Sequence, residues 1–267
     1  MPQDSVTDST HHPLAGLPYA ERIRIVPTTA PLAWLRAGWD DMRAAPVVSV
    51  AYGSIFVAIG FVLTVGLSAL DMLYLMTPLI AGFLLIAPLL AVGLYHMSRR
   101  LEHGQRPGFW AAVFAWRANS FHILTAGLVL MLFLMIWVRI AALIFALVFP
   151  YTNMAWSALL TSLASTDGIV FLTLGTAIGG GFAVVAFIGA AVSLPLMLDR
   201  GTDVFTAVLV SALAVFANLK AMALWAVIIV VVTALGLLTG LIGVAVTLPL
   251  IGHATWHAYR ALVAWEE

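Results

Sequence analysis

Long apolar runs alternate with short polar segments along most of this chain. A helix needs roughly 20 apolar residues to cross a hydrocarbon core of about 30 Å. The runs therefore predict six membrane-spanning helices, at about residues 47–67, 73–95, 121–145, 169–198, 221–235 and 239–256. They make up a membrane domain over residues 29–262, with a loop or surface helix at 150–168. Residues 1–28 are polar, and we predict that they form a disordered cytoplasmic tail.

Three shorter segments precede alternate spans, at Pro31–Pro46, Pro107–Trp116 and Asp203–Lys220. In the first, Trp34 and Trp39 recur at helical spacing, with charged residues on the other side. Tryptophans on one face and basic residues on the other are typical of a helix that lies in the headgroup region. We expect all three segments to be interfacial helices.

One pattern recurs three times, around Pro88, Pro195 and Pro249, each of which is followed directly by leucine. An aromatic residue and a histidine follow the first and third of these prolines after seven and eight residues, as Tyr95-His96 and Trp256-His257. Internal repeats of this kind point to a symmetric or pseudo-symmetric bundle. The predicted fold class is an all-α integral membrane protein, with six transmembrane helices in three repeats of an interfacial helix plus a helical hairpin.

Composition supports a membrane protein, because 63% of the residues are hydrophobic, 9% are charged and the mean hydropathy is +1.07. Eleven of the twelve basic residues fall before the first span or in the segments after the second, fourth and sixth spans. By the positive-inside rule that side is the cytoplasm. We therefore predict a multi-pass protein of the bacterial inner membrane with both termini in the cytoplasm. The absence of cysteine excludes disulfides and thiolate metal sites.

Arg139 is the basic residue that breaks the charge rule, and it is a candidate polar site. A charge in hydrocarbon costs roughly 2.5 to 3.5 kcal/mol, so a functional role is the default hypothesis. Two interpretations are open. Arg139 lies near the outer interface, where it reaches water beside Trp137, or it faces inward near Asp167 or a polar ligand.

Four histidines near the predicted cytoplasmic ends form a candidate ligand cluster: His96, His122, His253 and His257. His253 and His257 are four residues apart, a spacing that suits two metal or haem ligands on one helix face. The alternative is that they are interface anchors. Four carboxylates at helix boundaries could act as acid/base pairs or, more simply, as helix caps: Asp40, Asp41, Asp199 and Asp203.

The segments IRIVPTTAPLAWLRAGWDDMRAAP, APLLAVGLYHMSRRLEHGQRP and LPLIGHATWHAYRAL together resemble a proteobacterial family of predicted integral membrane proteins, a domain of unknown function. The resemblance covers the chain from about residue 22. It implies location and a short six-helix fold, and it transfers no catalytic residue. Automated labels call some relatives cytochrome c oxidase subunit I, but such a subunit typically has twelve spans and six histidine ligands. This chain has room for six spans and has four histidines near them.

The sequence is compatible with three classes of function. The first is a non-enzymatic accessory or assembly factor for a membrane complex, with the lipid bilayer and another membrane protein complex as partners. The alternatives are a small transporter or channel running past Gly179–Gly181 and Arg139, and a haem- or quinone-associated redox protein. No cofactor is predicted, although haem is possible, and no motif suggests nucleic acid as a partner.

Overall fold

The computed structural model of the protein describes residues 14, 16–70, 72, 75–149 and 165–264. Apart from one isolated antiparallel bridge between Ile23 and Val263, these residues form helices, turns and irregular segments. The first thirteen residues of the predicted tail and residues 150–164 of the predicted loop lie outside the described part.

Eleven α-helices occur in the described ranges, and they are of three kinds. Short helices lie where interfacial helices are predicted: α1 Ala30–Ala44, α5 Phe109–Val113 and α9 Val204–Ala217. Outgoing spans follow them: α2 Pro46–Ala69, α6 Ser120–Val148 and α10 Leu219–Leu238. Returning helices complete the set: α3 Met76–Leu90 with α4 Val92–Glu102, α7 Thr166–Ala190 with α8 Ser193–Arg200, and α11 Val244–Leu262.

Among the described residues, five segments are long and apolar enough to cross a membrane: Pro46–Ala69, Pro78–Glu102, Ala115–Val148, Thr166–Arg200 and Leu219–Leu238. The predicted all-α integral membrane class is thereby confirmed. The predicted sixth span corresponds to α11, which is not among the five because its last turns carry polar and charged side chains.

Two predicted spans are broken helices rather than continuous ones. The second bends at Ala91, between α3 and α4, and the fourth bends at Ala191-Val192, between α7 and α8. Side chains from neighbouring helices bind the backbone at each bend. The Tyr52 hydroxyl donates to Leu90 O at 2.9 Å, and the Ser211 hydroxyl donates to Ile188 O at 2.8 Å. These bonds meet the requirement that backbone groups inside a membrane be paired.

The predicted disordered tail does not extend to residue 28. Ala20–Arg22 form a 3-10 helix, and the adjacent Ile23 is buried. This segment pairs with the end of the chain, since Arg24 N donates to Leu262 O and Ala264 N donates to Arg22 O, both at 2.8 Å. The apolar Ile23 and these backbone bonds explain the order, which a polarity count over 28 residues does not detect.

The interior of the bundle lies where the returning helices end. Leu94, Leu196 and Ala254, from α4, α8 and α11, are each 0% exposed. The outgoing spans instead expose large apolar side chains, such as Val62 at 72% and Leu147 at 72%. Apolar side chains on the outside are expected of helices whose solvent is lipid.

The short helices pack on returning helices in cyclic order. Helix α5 contacts α4, α9 contacts α7 and α8, and α1 contacts α11. Two asparagines follow the same order, because Asn119 binds Thr202 O ahead of α9, and Asn218 binds Arg24 O ahead of α1. Equivalent contacts are what three repeated units predict, although the repeat itself stays a prediction. Helix α9 differs from the expected amphipathic helix in being apolar on both faces.

Candidate functional site

The polar ends of the three returning helices meet around Asp199. Its side chain is 7% exposed, and it lies 3.0 Å from Arg99 Nε and 3.1 Å from Arg200 Nε. From α11, the Tyr259 hydroxyl donates to Asp199 at 2.8 Å, and Arg260 Nη1 lies 3.8 Å away. One carboxylate therefore joins α4, α8 and α11.

Glu102 forms the second half of this cluster. It accepts hydrogen bonds from Trp256 Nε1 and Arg260 Nε, both at 3.0 Å. Arg260 therefore lies between two carboxylates, Glu102 of α4 and Asp199 of α8. We call Arg99, Glu102, Asp199, Tyr259 and Arg260 the polar clamp. Its carboxylates are already bound by arginine, tyrosine and tryptophan donors, an arrangement that holds helices together.

The predicted roles of the carboxylates divide. Asp203 is a helix cap, as expected, because its side chain accepts from Thr206 N at 3.0 Å, and this hydrogen bonding lowers the pKa of the carboxyl below its ordinary value. Asp199 and Asp41 are not caps. Asp41 Oδ2 lies 2.8 Å from His257 Nε2 and so links α1 to α11.

His253 is enclosed between two helices of the first hairpin and is 0% exposed. Its Nε2 lies 3.0 Å from the Ser49 hydroxyl of α2, and its Nδ1 lies 2.7 Å from the Ser98 hydroxyl of α4. A neutral imidazole has one donor and one acceptor nitrogen, and hydroxyls can play either role. The two serines therefore satisfy both ring nitrogens.

The four candidate histidines are not gathered into one site. His253 binds Ser49 and Ser98, His257 binds Asp41, and His122 packs edge-on against Phe121. His96 Nε2 is buried and has no hydrogen-bond partner among the described residues. Over the same residues, no group of three or more His, Cys, Asp or Glu could hold a metal ion.

Arg139 is exposed on α6, and it does not line the interior cavity described next. Trp137 is not its interfacial companion, because the indole is buried and donates to Pro78 O at 2.8 Å. Of the predicted glycine run, Gly179 packs against the Trp137 ring, whereas Gly180 and Gly181 face open space. Of these three glycines, only Gly179 therefore lies in close contact with another helix, through the Trp137 side chain.

A cavity of about 370 Å³ lies between the returning helices and α10. Its walls are almost wholly apolar and come from α3, α4, α7, α10 and α11. Trp225, which is 0% exposed, lines it, and its indole N–H has no hydrogen-bond partner among the described residues. The volume falls within the range of small-molecule sites, about 300 to 1,000 Å³.

Sequence reasoning missed the serines, Glu102 and Trp225. Polar residues within apolar runs are the signal that would have identified Ser49, Ser98 and Ser211, since intramembrane polar groups need partners. The partner of each serine depends on helix packing, which spacing along the chain does not reveal. Glu102 and Trp225 carry no such signal, because both lie near predicted helix ends where their residue types are common.

Comparison with known proteins supports an integral membrane protein. The model of a family described as predicted integral membrane protein (DUF2189) matches residues 75–199, from just before α3 to the end of α8. No curated protein and no solved structure matches the chain. The matched part contains two of the three returning helices together with Asp199 and Glu102 of the polar clamp. Residues 75–199 are therefore similar to this family of predicted integral membrane proteins, and the long apolar helices agree with a multi-pass membrane protein.

Proposed function

We propose that the chain is a non-enzymatic accessory protein that assembles or holds together a larger membrane complex. The observation that carries the proposal is the polar clamp. It uses the charged groups at the converging helix ends to bind the helices to one another. A catalytic or conducting site would need such groups to face a substrate or a water path.

The short helices offer the surface for such a role. Each exposes large aromatic side chains: Trp39 at 43% on α1, Trp110 at 68% on α5, and Phe205 at 88% and Phe216 at 52% on α9. Aromatic side chains are enriched both at membrane interfaces and at protein interfaces. The partner we propose is another membrane protein that docks beside these helices at the level of the headgroups.

The test is gentle detergent extraction of the tagged protein at native expression, with mass spectrometry of the co-purifying proteins. A reproducible partner from one membrane complex is expected. Phe205→Ala should reduce its recovery, whereas Val62→Ala, on the lipid-facing side of α2, should not. A clean protein without a partner would contradict the proposal.

A transporter is the second candidate, and the cavity is the observation that favours it. Its apolar walls suit an apolar or amphiphilic solute rather than an ion. A transport path that runs past Arg139 is tested by comparing solute flux into liposomes between the wild type and Arg139→Ala. The absorbance spectrum of the extracted protein tests the redox class, since bound haem gives a Soret band.

We also propose that the protein resides in a bacterial inner membrane with both termini in the cytoplasm. The placement of eleven of its twelve basic residues supports this orientation.

A further inference from the structure

The cavity lies between two helices whose counterparts in the other two predicted units are in direct contact. In the first two predicted units, each outgoing span packs on the preceding returning helix: α2 on α11, and α6 on α3. Glycines allow these approaches, since an added Cβ on Gly53 would meet the backbone of Ala245, and one on Gly127 would lie 2.9 Å from Leu89. The corresponding helices of the third unit, α10 and α7, instead face each other across the cavity.

The mouth of the cavity opens toward lipid. Val184 of α7 and Val227 and Val230 of α10 line the cavity and are also 58%, 57% and 51% exposed. A ligand can therefore enter sideways from the bilayer, between α7 and α10, without crossing the polar clamp.

The walls suit a flexible hydrocarbon chain. Eight of the lining residues are alanine or glycine, and the remainder are mostly aliphatic or aromatic. They leave an apolar volume between the returning helices and α10. Such a volume offers no polar partners to a ligand except at its Trp225 wall and near Tyr95 and Thr255.

Trp225 supplies the polar element of recognition. A buried N–H without a partner is costly, by about 1 to 3 kcal/mol, so a carbonyl oxygen in the cavity would be bound there once the indole, which is 0% exposed, turns toward it. Thr255 is not available in the same way, because its hydroxyl already donates to Ile251 O at 2.8 Å. One open donor beside an apolar volume matches a ligand with one carbonyl near the start of a long chain.

We propose that this cavity binds an acyl chain of a membrane phospholipid, whose ester carbonyl accepts the hydrogen bond of the Trp225 indole N–H. The acyl chain lies between α7 and α10. It fills the gap that direct helix contact closes in the other two predicted units. The bound lipid is thus a structural part of the helix bundle and links the protein to its bilayer.

The first experiment measures whether lipid chains reach Trp225. Wild type and Trp225→Phe are reconstituted with phosphatidylethanolamine and phosphatidylglycerol whose acyl chains carry bromine, a contact quencher of indole fluorescence. The fluorescence of the wild type minus that of Trp225→Phe gives the emission of Trp225 alone. We expect its emission to be quenched, although its ring is closed off from the surface. An unquenched Trp225 would overturn the proposal.

Matched variants separate the cavity from the helix surface. Ala226→Phe fills the cavity and should abolish the Trp225 quenching, whereas Ala223→Phe, one turn away on the exposed side of α10, should leave it unchanged. Trp110, which is exposed on α5, should be quenched equally in both backgrounds. Equal quenching of Trp225 in both variants would contradict a lipid in the cavity.

Native mass spectrometry identifies the ligand and does not depend on the cavity-filling variant folding. One retained phospholipid per chain is expected, and Trp225→Phe should lower the retained fraction about fivefold, the effect of one lost hydrogen bond. An isoprenoid quinone in its place, or no adduct, would refute the phospholipid assignment. Gel filtration and helical circular dichroism confirm that each variant is folded.

Discussion

At the scale of single residues, several buried polar side chains are hydrogen-bonded to partners on other helices. His253 is the clearest case, since it joins α2, α4 and α11 through two hydroxyls. In a region without water, a lost partner leaves a buried polar atom unpaired, whereas exchanging all partners for apolar groups removes the demand altogether. The two kinds of substitution should therefore have opposite consequences.

Ser98→Ala should lower the free energy of unfolding by about 2 kcal/mol, because it leaves His253 Nδ1 without a partner. The triple variant Ser49→Ala, Ser98→Ala, His253→Leu should recover most of this loss. Thermal unfolding in detergent measures both. Ser54→Ala is the control, since that hydroxyl donates within its own helix on the exposed face, and it should change stability by less than about 0.5 kcal/mol. A triple variant weaker than Ser98→Ala would contradict this explanation.

Asp199 is the residue on which the polar clamp depends. Asp199→Asn keeps the shape but leaves Arg99, Arg200 and Arg260 close together without their carboxylate. Breaking a buried ion pair costs about 3 to 5 kcal/mol. Arg99 and Arg260 are each more than one third exposed, so screening reduces the expected loss to about 2 kcal/mol.

The same unfolding measurement checks Asp199→Asn. Glu21→Gln is the matched control, because its carboxylate lies 4.0 Å from Arg22 with 74% of the side chain exposed, and it should have almost no effect. If Asp199→Asn lowered the free energy of unfolding as little as Glu21→Gln does, the polar clamp would not hold the helices together.

At the scale of helices, the spans were predictable and their bends were not. Apolar length identifies α2, α6 and α10 within a few residues of their observed ends. The break at Ala191-Val192 depends on Ser211, a residue 19 positions further along the chain that binds both Val192 N and Ile188 O. The position of a proline indicates roughly where a helix bends. The residue at which the backbone hydrogen bonds of the helix are interrupted depends on the side chain packed against it.

Helix contact distance gives a test at the same scale. Gly38 of α1 faces α11 so closely that an added Cβ would lie 2.8 Å from Ala254 Cα. Gly38→Ala should therefore destabilise the protein by about 2 kcal/mol, since backbone cannot move aside. Gly66→Ala on α2, where nothing lies within 4 Å, should instead stabilise by about 0.5 to 1 kcal/mol. Equal shifts in the unfolding midpoint would refute the close contact.

For the whole molecule, the charge pattern predicts which end of each helix faces the cytoplasm, and the structure adds which ends touch. The clamp residues come from helices far apart in sequence, so their convergence could not be read from spacing. The cavity was equally hidden, because it arises from a contact that two units make and the third does not. The family match covers α3 to α8 and leaves the closing helix, α11, to be placed by its contacts.

The pairing of the two ends determines the parity of the spans. Residues 22–24 bind residues 262–264, so both ends of the described chain lie on one side of any membrane that the helices cross. Within the part of the chain that the structure describes, five segments meet the length and composition requirement for a span. Five crossings would separate the paired ends, and we infer that α11 is the sixth crossing despite its polar last turns. Its His253, Trp256 and Tyr259 side chains are buried within protein, which spares them contact with lipid.

Reporter fusions test this topology directly. Green fluorescent protein joined after residue 267 should fluoresce, because it folds in the cytoplasm, and alkaline phosphatase at the same place should be inactive. Truncation after residue 240, which removes α11, should reverse both signals. A sandwich fusion between Ala69 and Met76 should report the opposite side from the full-length end. Unchanged signals after truncation would mean that α11 does not cross, and the pairing of Ile23 with Val263 would then require another arrangement of the spans.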